Sequence, residues 1–297
     1  MNKKLLLLLM FVSGILYSSA QDATIKGLQK DAARTVKSID SNGWKNSGTF
    51  ILNVNQGSLS NWAAGGEQNT LGINSILNYA INYRMNKNTW DNYFDLALGF
   101  QNATSFNRFR KTDDRIDITS KYGHQVSKKW YAAALVNFNS QALKGYDYDS
   151  NRKISNFLAP GKLLFAIGMD YRPAKNFSLF ISPITTRWIF KQDPDFYALD
   201  KFGVPAFKKI YNEVGAYVSA KYDQPLSKWA VYSGRLDLFS NYKRNPQNVD
   251  IYFTNLLTMN FNKWLGTTIS VDMIYDDDVI QKTQLKEILG VGLSAKL

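Results

Sequence analysis

The chain has 297 residues, no cysteine and a formal net charge of +12. The absence of cysteine excludes a disulfide framework, a lipid-modified cysteine anchor and thiolate metal ligands. Aromatic residues reach 14% although the mean hydropathy is −0.29, which is unusual for a soluble globular core and typical of a barrel that is apolar outside and polar inside.

The first predicted element is an export signal. Lys3 and Lys4 precede an apolar run from Leu5 to Leu16, and the small residues Ser18–Ala20 follow. This order is that of a cleavable signal peptide, so we expect residues 1–20 to be removed. The apolar run is too short for a membrane anchor, which needs about 20 residues. Export argues against nucleic acid as a partner for the positive charge and favours anionic lipid headgroups.

Residues 21–47 form a polar segment before the first predicted strand. The apolar residues Ile25, Leu28, Ala32, Val36 and Ile39 recur in it at helical spacing, which favours one short amphipathic helix. We expect a periplasmic tail here. The alternative is a plug that enters the barrel from below.

From residue 48 to residue 297 the sequence predicts a barrel. Apolar and polar residues alternate in segments of about ten, and no stretch reaches the roughly 18 apolar residues of a spanning helix. Only a closed sheet could then satisfy its backbone in a membrane. We therefore predict an all-β fold, a transmembrane antiparallel up-and-down β-barrel of about twelve strands in the cell outer membrane. The predicted strands are 49–57, 70–84, 90–104, 112–126, 130–143, 162–173, 177–191, 213–224, 229–243, 249–261, 265–276 and 286–297.

The alternation breaks near Ser182 and Pro183. Proline cannot donate to a strand ladder, so this position predicts a β-bulge or an edge.

Short and long connections alternate between the predicted strands. Outer-membrane barrels have short periplasmic turns and longer extracellular loops, so this pattern places both chain ends in the periplasm. The short turns are Asn86–Thr89, Ser127–Lys129, Ala174–Asn176, Pro225–Lys228 and Asn262–Trp264; the longer connections include Lys144–Gly161, Gln192–Asn212 and Asp277–Leu285. We expect the two longest connections to cap the barrel or to dock another protein.

Each short turn contains a lysine, and an aromatic residue opens the strand that follows. An aromatic ring at this height belongs at the headgroup level of a membrane, where the lysines can meet phosphates. We interpret the aromatic residues as a periplasmic girdle of Trp90, Trp130, Phe177, Trp229 and Trp264. The alternative is a set of ordinary hydrophilic turns followed by core aromatics.

Along each predicted strand, apolar residues occupy every second position and face the lipid. Charged residues recur at the positions between them, which face the interior, because a charge on the lipid face is costly. Both signs are present in nearly equal number, whereas an ion-selective pore carries one sign at its constriction. Twelve strands enclose a backbone radius of roughly 12 Å, and long side chains fill much of it. We predict a narrow or closed interior tied by ion pairs, lined by Arg84, Asp91, Asp95, Arg115, Asp117, Lys121, Asp170, Arg172, Lys221, Asp223, Arg235, Asp237 and Asp272.

The sequence predicts no catalytic residue, no metal site and no cofactor. A serine phospholipase needs a histidine beside its nucleophile, and the one histidine, His124, falls near the predicted periplasmic end. Acidic runs such as Asp276–Asp278 suit Ca²⁺, but no spacing matches a calcium loop. We interpret these runs as solvated loop carboxylates paired with the nearby cations Arg110, Lys111, Arg152 and Lys191.

Several blocks, in order, resemble those of a known family: Asn61-Trp62 with Gly65-Gly66, Trp90-Asp91-Asn92, Arg110-Lys111-Thr112-Asp113-Asp114, Lys121-Tyr122-Gly123, Gly145-Tyr146-Asp147, Ser155-Asn156-Phe157-Leu158-Ala159-Pro160, Asp237-Leu238-Phe239-Ser240-Asn241 and Tyr275-Asp276-Asp277-Asp278. On these blocks the chain, from about Trp44 to Leu297, resembles an uncharacterised family of Bacteroidota-type outer-membrane β-barrel proteins with a domain of unknown function. The resemblance implies an outer-membrane barrel and no particular activity.

The function expected from the sequence is that of a structural or interaction component with a largely closed, charge-balanced lumen. One alternative is a narrow channel for small solutes, and a third is a lipid-modifying barrel enzyme. The expected partners are outer-membrane lipids and a surface lipoprotein or another outer-membrane protein, and not nucleic acid.

Overall fold

The computed structural model describes residues 42–60, 67–174, 176–227, 229–260, 265–276 and 280–296. The predicted signal peptide and the predicted helix at Ile25–Ile39 lie outside these ranges. No helix within them is long or apolar enough to cross a bilayer. The strands are β1 (Gly43–Ser58), β2 (Asn69–Met85), β3 (Asn88–Ala103), β4 (Arg110–Gln125), β5 (Trp130–Ser140), β6 (Gly145–Asp147), β7 (Arg152–Ser155), β8 (Gly161–Ala174), β9 (Phe177–Phe190), β10 (Ile210–Pro225), β11 (Ala230–Asn241), β12 (Val249–Asn260), β13 (Leu265–Asp276) and β14 (Ile280–Lys296).

In the described residues, twelve of these strands form one closed ring, in the order β1-β14-β13-β12-β11-β10-β9-β8-β5-β4-β3-β2. Neighbours in the ring run antiparallel, and β6 and β7 form a separate hairpin within the connection from β5 to β8. The predicted all-β, antiparallel up-and-down barrel of about twelve strands is thereby confirmed. The periplasmic placement of both chain ends stays a prediction, so the two ends of the barrel are called the short-turn end and the long-loop end.

Two strands begin six residues earlier than the sequence predicted. β1 starts at Gly43 instead of residue 49 and pairs along its whole length with β2. β14 starts at Ile280 instead of residue 286, so the predicted connection Asp277–Leu285 is wrong in its second half. The polar residues 282–284 suggested a loop, but strand positions beyond the apolar belt need no apolar side chains.

The predicted bulge at Ser182 and Pro183 is confirmed. Along β10 the register jumps from Gly215↔Thr185 to Tyr217↔Ser182. The buried positions of β9 are therefore even-numbered before the bulge and odd-numbered after it: Phe180 and Ser182, then Thr185, Arg187 and Ile189. This parity switch turns Arg187 into the barrel.

Candidate functional site: the charged barrel interior

The predicted lumen charges all lie toward the inside of the barrel. Ten of the thirteen are buried, and Arg84, Lys121 and Arg172 are half-buried. Buried charges are costly unless each has a partner, so their contacts decide what the interior can do. We refer to β3–β5 and β8–β13 as the charged wall, and to β14, β1 and β2 as the seam wall.

At the short-turn end, two aspartates each hold two cations. Asp91 on β3 lies 2.5 Å from Arg84 and 3.3 Å from Arg172. Asp170 on β8 lies 2.9 Å from Lys121 and 2.6 Å from Arg172. Because β5 and β4 separate β8 from β3 in the ring, the bridge from Arg172 to Asp91 runs across the interior and not along the wall.

In the middle of the charged wall, carboxylates bind both a cation and amides. Arg115 donates to Asp95 at 2.9 Å. Asn137 and Asn139 on β5 each donate to Asp117 at 2.8 Å. These contacts satisfy charges that have almost no exposure to solvent.

The opposite side of the charged wall repeats the pattern on β10 and β11. Lys221 lies 3.1 Å from Asp223, and Arg235 lies 2.5 Å from Asp237. The Tyr217 hydroxyl donates to Asp237 at 2.7 Å and accepts from Arg235 at 2.9 Å. Charge is thus neutralised locally, pair by pair.

A further cluster, at the long-loop end, was missed by the sequence reasoning. Arg187 donates to Glu213 on β10, and it lies 3.1 Å from Asp250 on β12. The hydroxyl of Tyr252 donates to Asp276 at 2.9 Å. Since β10 and β11 separate β9 from β12, this arginine also reaches across the interior.

A sequence signal existed for part of that cluster. Glu213, Asp250 and Asp276 have the inward parity of their strands, so strict alternation finds them. Strict alternation does not predict that Arg187 faces inward, because the bulge that precedes it in β9 exchanges the inward and outward positions.

The seam wall differs from the charged wall in its side chains and in its pairing. Between Ser47 and Asn55 on β1 the inward positions are uncharged. Asn74 and Asn78, which face them from β2, are half-buried. Among the described residues, the ladder between β1 and β14 runs only from Thr49↔Lys296 to Leu52↔Leu293. Between Ser47 and Asn55 this wall is uncharged on its inner face, and β1 and β14 are joined over a short distance.

The two longest connections, residues 141–160 and 191–209, pack on each other at the long-loop end, and we refer to them as the loop cap. Lys153 Nζ lies 2.8 Å from both carboxylate oxygens of Asp193, and Lys201 donates to the Ile154 carbonyl at 2.7 Å. Burial would raise the pKa of Asp193, but hydrogen bonds from Lys153 and Asn156 hold it below its usual value. The hydrogen bonds to Asp193 and Asp195 raise the pKa of Lys153.

Only part of the interpretation of loop cations as partners of carboxylates is correct. Lys111 lies 2.7 Å from Asp114, as expected, but the expectation of solvated carboxylates is wrong for Asp114, Asp193 and Asp276, which are buried. Lys191, however, is buried and donates to the backbone carbonyls of Leu199, Val204 and Pro205. Backbone carbonyls carry no sequence signal, so this contact could not be predicted.

The described residues of the predicted girdle lie next to the short turns. Trp90, Trp130 and Trp229 are exposed and Phe177 is half-buried, while Trp264 falls outside the described residues. The register also adds three neighbours that the sequence reasoning did not assign to the girdle, because Trp44, Tyr83, Trp90 and Tyr122 are direct partners on β1 to β4. The rings of Trp44 and Trp90 are 5.7 Å apart.

His124 is exposed at the short-turn end, with Nδ1 2.7 Å from Asn88 Oδ1. The nearby Ser120 hydroxyl accepts from Trp90 Nε1 at 2.8 Å. Within the described ranges, no three His, Asp or Glu side chains are arranged to hold a metal ion. The contacts described above make charge pairing the observed chemistry of the interior.

One family model matches part of this chain, and several solved structures have a similar fold. Residues 54–146 match a family model described as "Protein of unknown function (DUF3078)", and no curated protein matches the chain. Similar solved structures include the translocator domain of the autotransporter NalP from Neisseria meningitidis (12% identity, 87% of this chain and 90% of that chain, TM-score 0.39). The COG4313 outer membrane channel from Pseudomonas putida F1 is another (9% identity, 89% and 98% covered, TM-score 0.42).

The family match confirms the expected resemblance to an uncharacterised family over residues 54–146 of the barrel. The Bacteroidota-type origin stays a prediction.

Proposed function

We propose that this protein is an outer-membrane β-barrel whose interior is closed to solute diffusion by ion pairs, and that it acts as a structural or interaction component of that membrane. The observation that carries this proposal is that Arg172 and Arg187 bridge strands that are not neighbours in the ring. Side chains that meet across the lumen occupy the space through which a solute would pass.

The outer surface supports a membrane location. Large apolar side chains alternate along its strands and are exposed, as on β3 with Leu96 and Leu98 and on β8 with Phe165, Ile167 and Met169. An outward apolar band bounded by aromatic residues is the surface of a membrane barrel. With the short turns in the periplasm, the loop cap would face the outside of the cell.

Conductance in planar bilayers tests the closed interior. We expect no reproducible open steps from the purified full-length protein. The double variant Asp91→Ser, Arg172→Ser removes one cross-lumen pair without changing the net charge, and we expect steps to appear. The matched control Lys153→Ser, Asp193→Ser removes a pair of the same charges from the loop cap and should stay silent. Regular steps from the unmodified protein would contradict the proposal.

A second candidate, a narrow channel for small solutes, is favoured by one observation. Asn74 and Asn78 face the interior of the seam wall and are only half-buried. Space beside uncharged amides would suit small uncharged solutes. Steps from the unmodified protein that disappear when Asn78 is enlarged to tryptophan would favour the channel.

The partner of the proposed barrel is a surface lipoprotein or another outer-membrane protein. Exposed apolar side chains on the loop cap support this proposal: Phe157, Tyr197, Leu199 and Phe207. Exposed apolar groups that cluster in a surface loop favour contact with another protein. A photo-crosslinking residue at Phe207 should capture one stoichiometric partner in native membranes, whereas the same residue at Met85, at the short-turn end, should not.

A further inference from the structure

Two arginines at the long-loop end lie against three aromatic rings. The Cζ of Arg108 is 4.7 Å from the ring centroid of Tyr146 and 5.6 Å from that of Tyr148. The Cζ of Arg110 is 3.7 Å from the centroid of Phe106 and 5.3 Å from that of Tyr148. We refer to these five side chains as the arginine–aromatic cluster. It lies outside the charged interior and plays no part in closing it.

The cluster is held in place from two separate connections. Arg108 and Phe106 belong to the connection between β3 and β4, whereas Tyr146 lies on β6 of the loop cap. The Tyr148 hydroxyl accepts from the backbone N–H of Lys111, and Arg108 donates to Asn151 Oδ1 at 2.6 Å. The arginines are thus pre-positioned before any ligand arrives, which lowers the entropic cost of binding.

Within the part of the chain that the structure describes, the charge of the two arginines is not taken up by an ion pair. Among the described residues, neither guanidinium lies within 4.0 Å of a carboxylate oxygen. The nearest acidic groups are engaged elsewhere. Hydrogen bonds from Ser105 hold the pKa of Glu67 below its usual value, with a smaller contribution from the charge of Arg110. A hydrogen bond from Ser150 does the same for Asp147.

The surroundings add positive charge. Lys144 and Arg152 belong to the same loop cap and are exposed. Arg108 is also exposed, and Arg110 is half-buried. The loop cap also carries Asp147 and Asp149, so the two guanidinium groups themselves are what attract an anion, and the attraction decreases with salt.

The geometry selects the kind of anion. A guanidinium that lies over a ring presents its N–H groups at its edge, and such an edge matches two oxygens of a phosphate. Arg108 uses one of these groups for Asn151. The half-buried rings of Tyr146 and Phe106 offer an apolar surface beside the charge, which suits the C–H face of a sugar ring. A lone phosphate would use only the arginines, whereas a sugar phosphate would use both features.

We propose that the arginine–aromatic cluster binds the phosphate of a phosphorylated sugar. The inference rests on the proposed function in one respect: with the loop cap outside the cell, the cluster lies beside the headgroups of the outer leaflet, where phosphorylated glycolipids present this group. The same chemistry would recognise a soluble sugar phosphate.

Two binding arms separate these sources. In the first, the full-length protein in phosphatidylcholine nanodiscs is titrated with glucosamine 1-phosphate, and with glucosamine as the unphosphorylated reference. In the second, nanodiscs are doped with diphosphoryl lipid A or with its dephosphorylated form, and the lipid retained by the protein is measured. Saturable binding of a phosphorylated probe in either arm, with none of its unphosphorylated partner, supports the proposal and names the source.

Variants locate the site. Arg108→Gln, Arg110→Gln should weaken binding about 10-fold to 100-fold, as expected for the loss of charge-assisted hydrogen bonds. Lys208→Gln, Lys209→Gln removes the same charge from exposed positions elsewhere on the loop cap and should change binding less than about 3-fold, because scattered surface charges contribute little. Arg108→Lys, Arg110→Lys keeps the charge but loses the flat fork, so it should fall between the two.

Several outcomes would overturn the proposal. It fails if no phosphorylated probe binds in either arm, or if the glutamine variants of both pairs weaken binding equally, since that result means unspecific charge attraction. Every variant is first checked for a folded barrel by its heat-dependent migration in SDS gels. Bilayer conductance of the Arg108→Gln, Arg110→Gln variant reports separately on the closed interior, so failure of one proposal does not imply failure of the other.

Discussion

The charged wall and the seam wall belong to the same barrel but are held together differently. On the charged wall, side chains such as Asp170 and Arg187 join two or three strands at once, and they are buried. On the seam wall, the inward positions between Ser47 and Asn55 are uncharged, and Arg84 at the short-turn end pairs with Asp91 of the charged wall. Among the described residues, the ladder between β1 and β14 covers four residue pairs. The charged wall is stabilised by side-chain ion pairs in addition to backbone hydrogen bonds. The closure between β1 and β14 in the seam wall depends on a short stretch of backbone pairing.

This difference indicates where the barrel would yield first. Local opening follows the regions with the fewest buried contacts, which places it at the seam wall. The charged wall, by contrast, would lose stability steeply if any one partner were removed, because the charges left behind would be buried and unpaired. The following predictions test this contrast, from the largest expected effect to the smallest.

Removing Asp170 should have the largest effect. Asp170→Ala removes the buried carboxylate that the half-buried Lys121 and Arg172 share, and breaking a buried ion pair from one side costs up to about 3–5 kcal/mol. Urea unfolding in lipid vesicles measures the change. The control Asp195→Ala removes a carboxylate that is 65% exposed and contacts Lys153, and it should cost less than about 1 kcal/mol. Equal losses would mean that burial of the charge is not what matters.

Closing the seam should give the next largest effect, in the opposite direction. Leu52 and Leu293 are direct partners in the β1–β14 ladder, and cross-strand partners have Cα atoms about 4.5–5.5 Å apart, a spacing that a disulfide accepts. The native chain has no cysteine, so Leu52→Cys, Leu293→Cys gives an unambiguous crosslink. We expect efficient oxidation and a stabilisation of about 2–4 kcal/mol.

The pair Ser58→Cys, Glu287→Cys is the control for that crosslink. It continues the same register by six residues on each strand, beyond the last described ladder pair. We expect little crosslinking there, measured by gel mobility with and without reductant. If both pairs oxidise equally well, the seam is continuous and the contrast between the two walls is wrong.

A single amide on the charged wall should have an intermediate effect. Asn139 is fully buried and donates to Asp117 at 2.8 Å. Asn139→Ala removes a hydrogen bond to a charged group and leaves part of the carboxylate unsatisfied, which costs about 1.5–3 kcal/mol. The midpoint of urea unfolding should fall by the corresponding amount. No change would mean that Asp117 finds another donor.

The sequence was a reliable guide to the strands and to the bulge, for physical reasons. A strand that separates two environments must alternate, so β2, β8 and β13 were located within one residue or two at each end. Pro183 marked the bulge because proline cannot donate to a ladder. Where these constraints stop, at the polar start of β14 beyond the apolar belt, the prediction was wrong.

The interior was less accessible to sequence reasoning. The alternation along each strand indicates which residues face inward. The pairing of Arg172 with Asp91, however, depends on the shape of the closed ring and on how far each side chain extends into its interior. Arg187 was missed because one bulge reverses parity. The arginine–aromatic cluster joins residues on two connections, and no periodic pattern links Arg108 to Tyr146.

The smallest effect should come from the seam wall. Asn78 is the same residue type as Asn139 and also faces the interior, but it is half-buried and lies opposite Thr49. Asn78→Ala should change the unfolding free energy by no more than about 0.5 kcal/mol, as expected for positions outside buried networks. Both variants are measured in the same vesicles. Because the substitution is the same, the difference between the two losses of unfolding free energy reports on the surroundings of each asparagine. A loss as large as that of Asn139→Ala would show that the seam wall is as tightly tied as the charged wall, and the seam would then have no reason to open before the rest of the barrel.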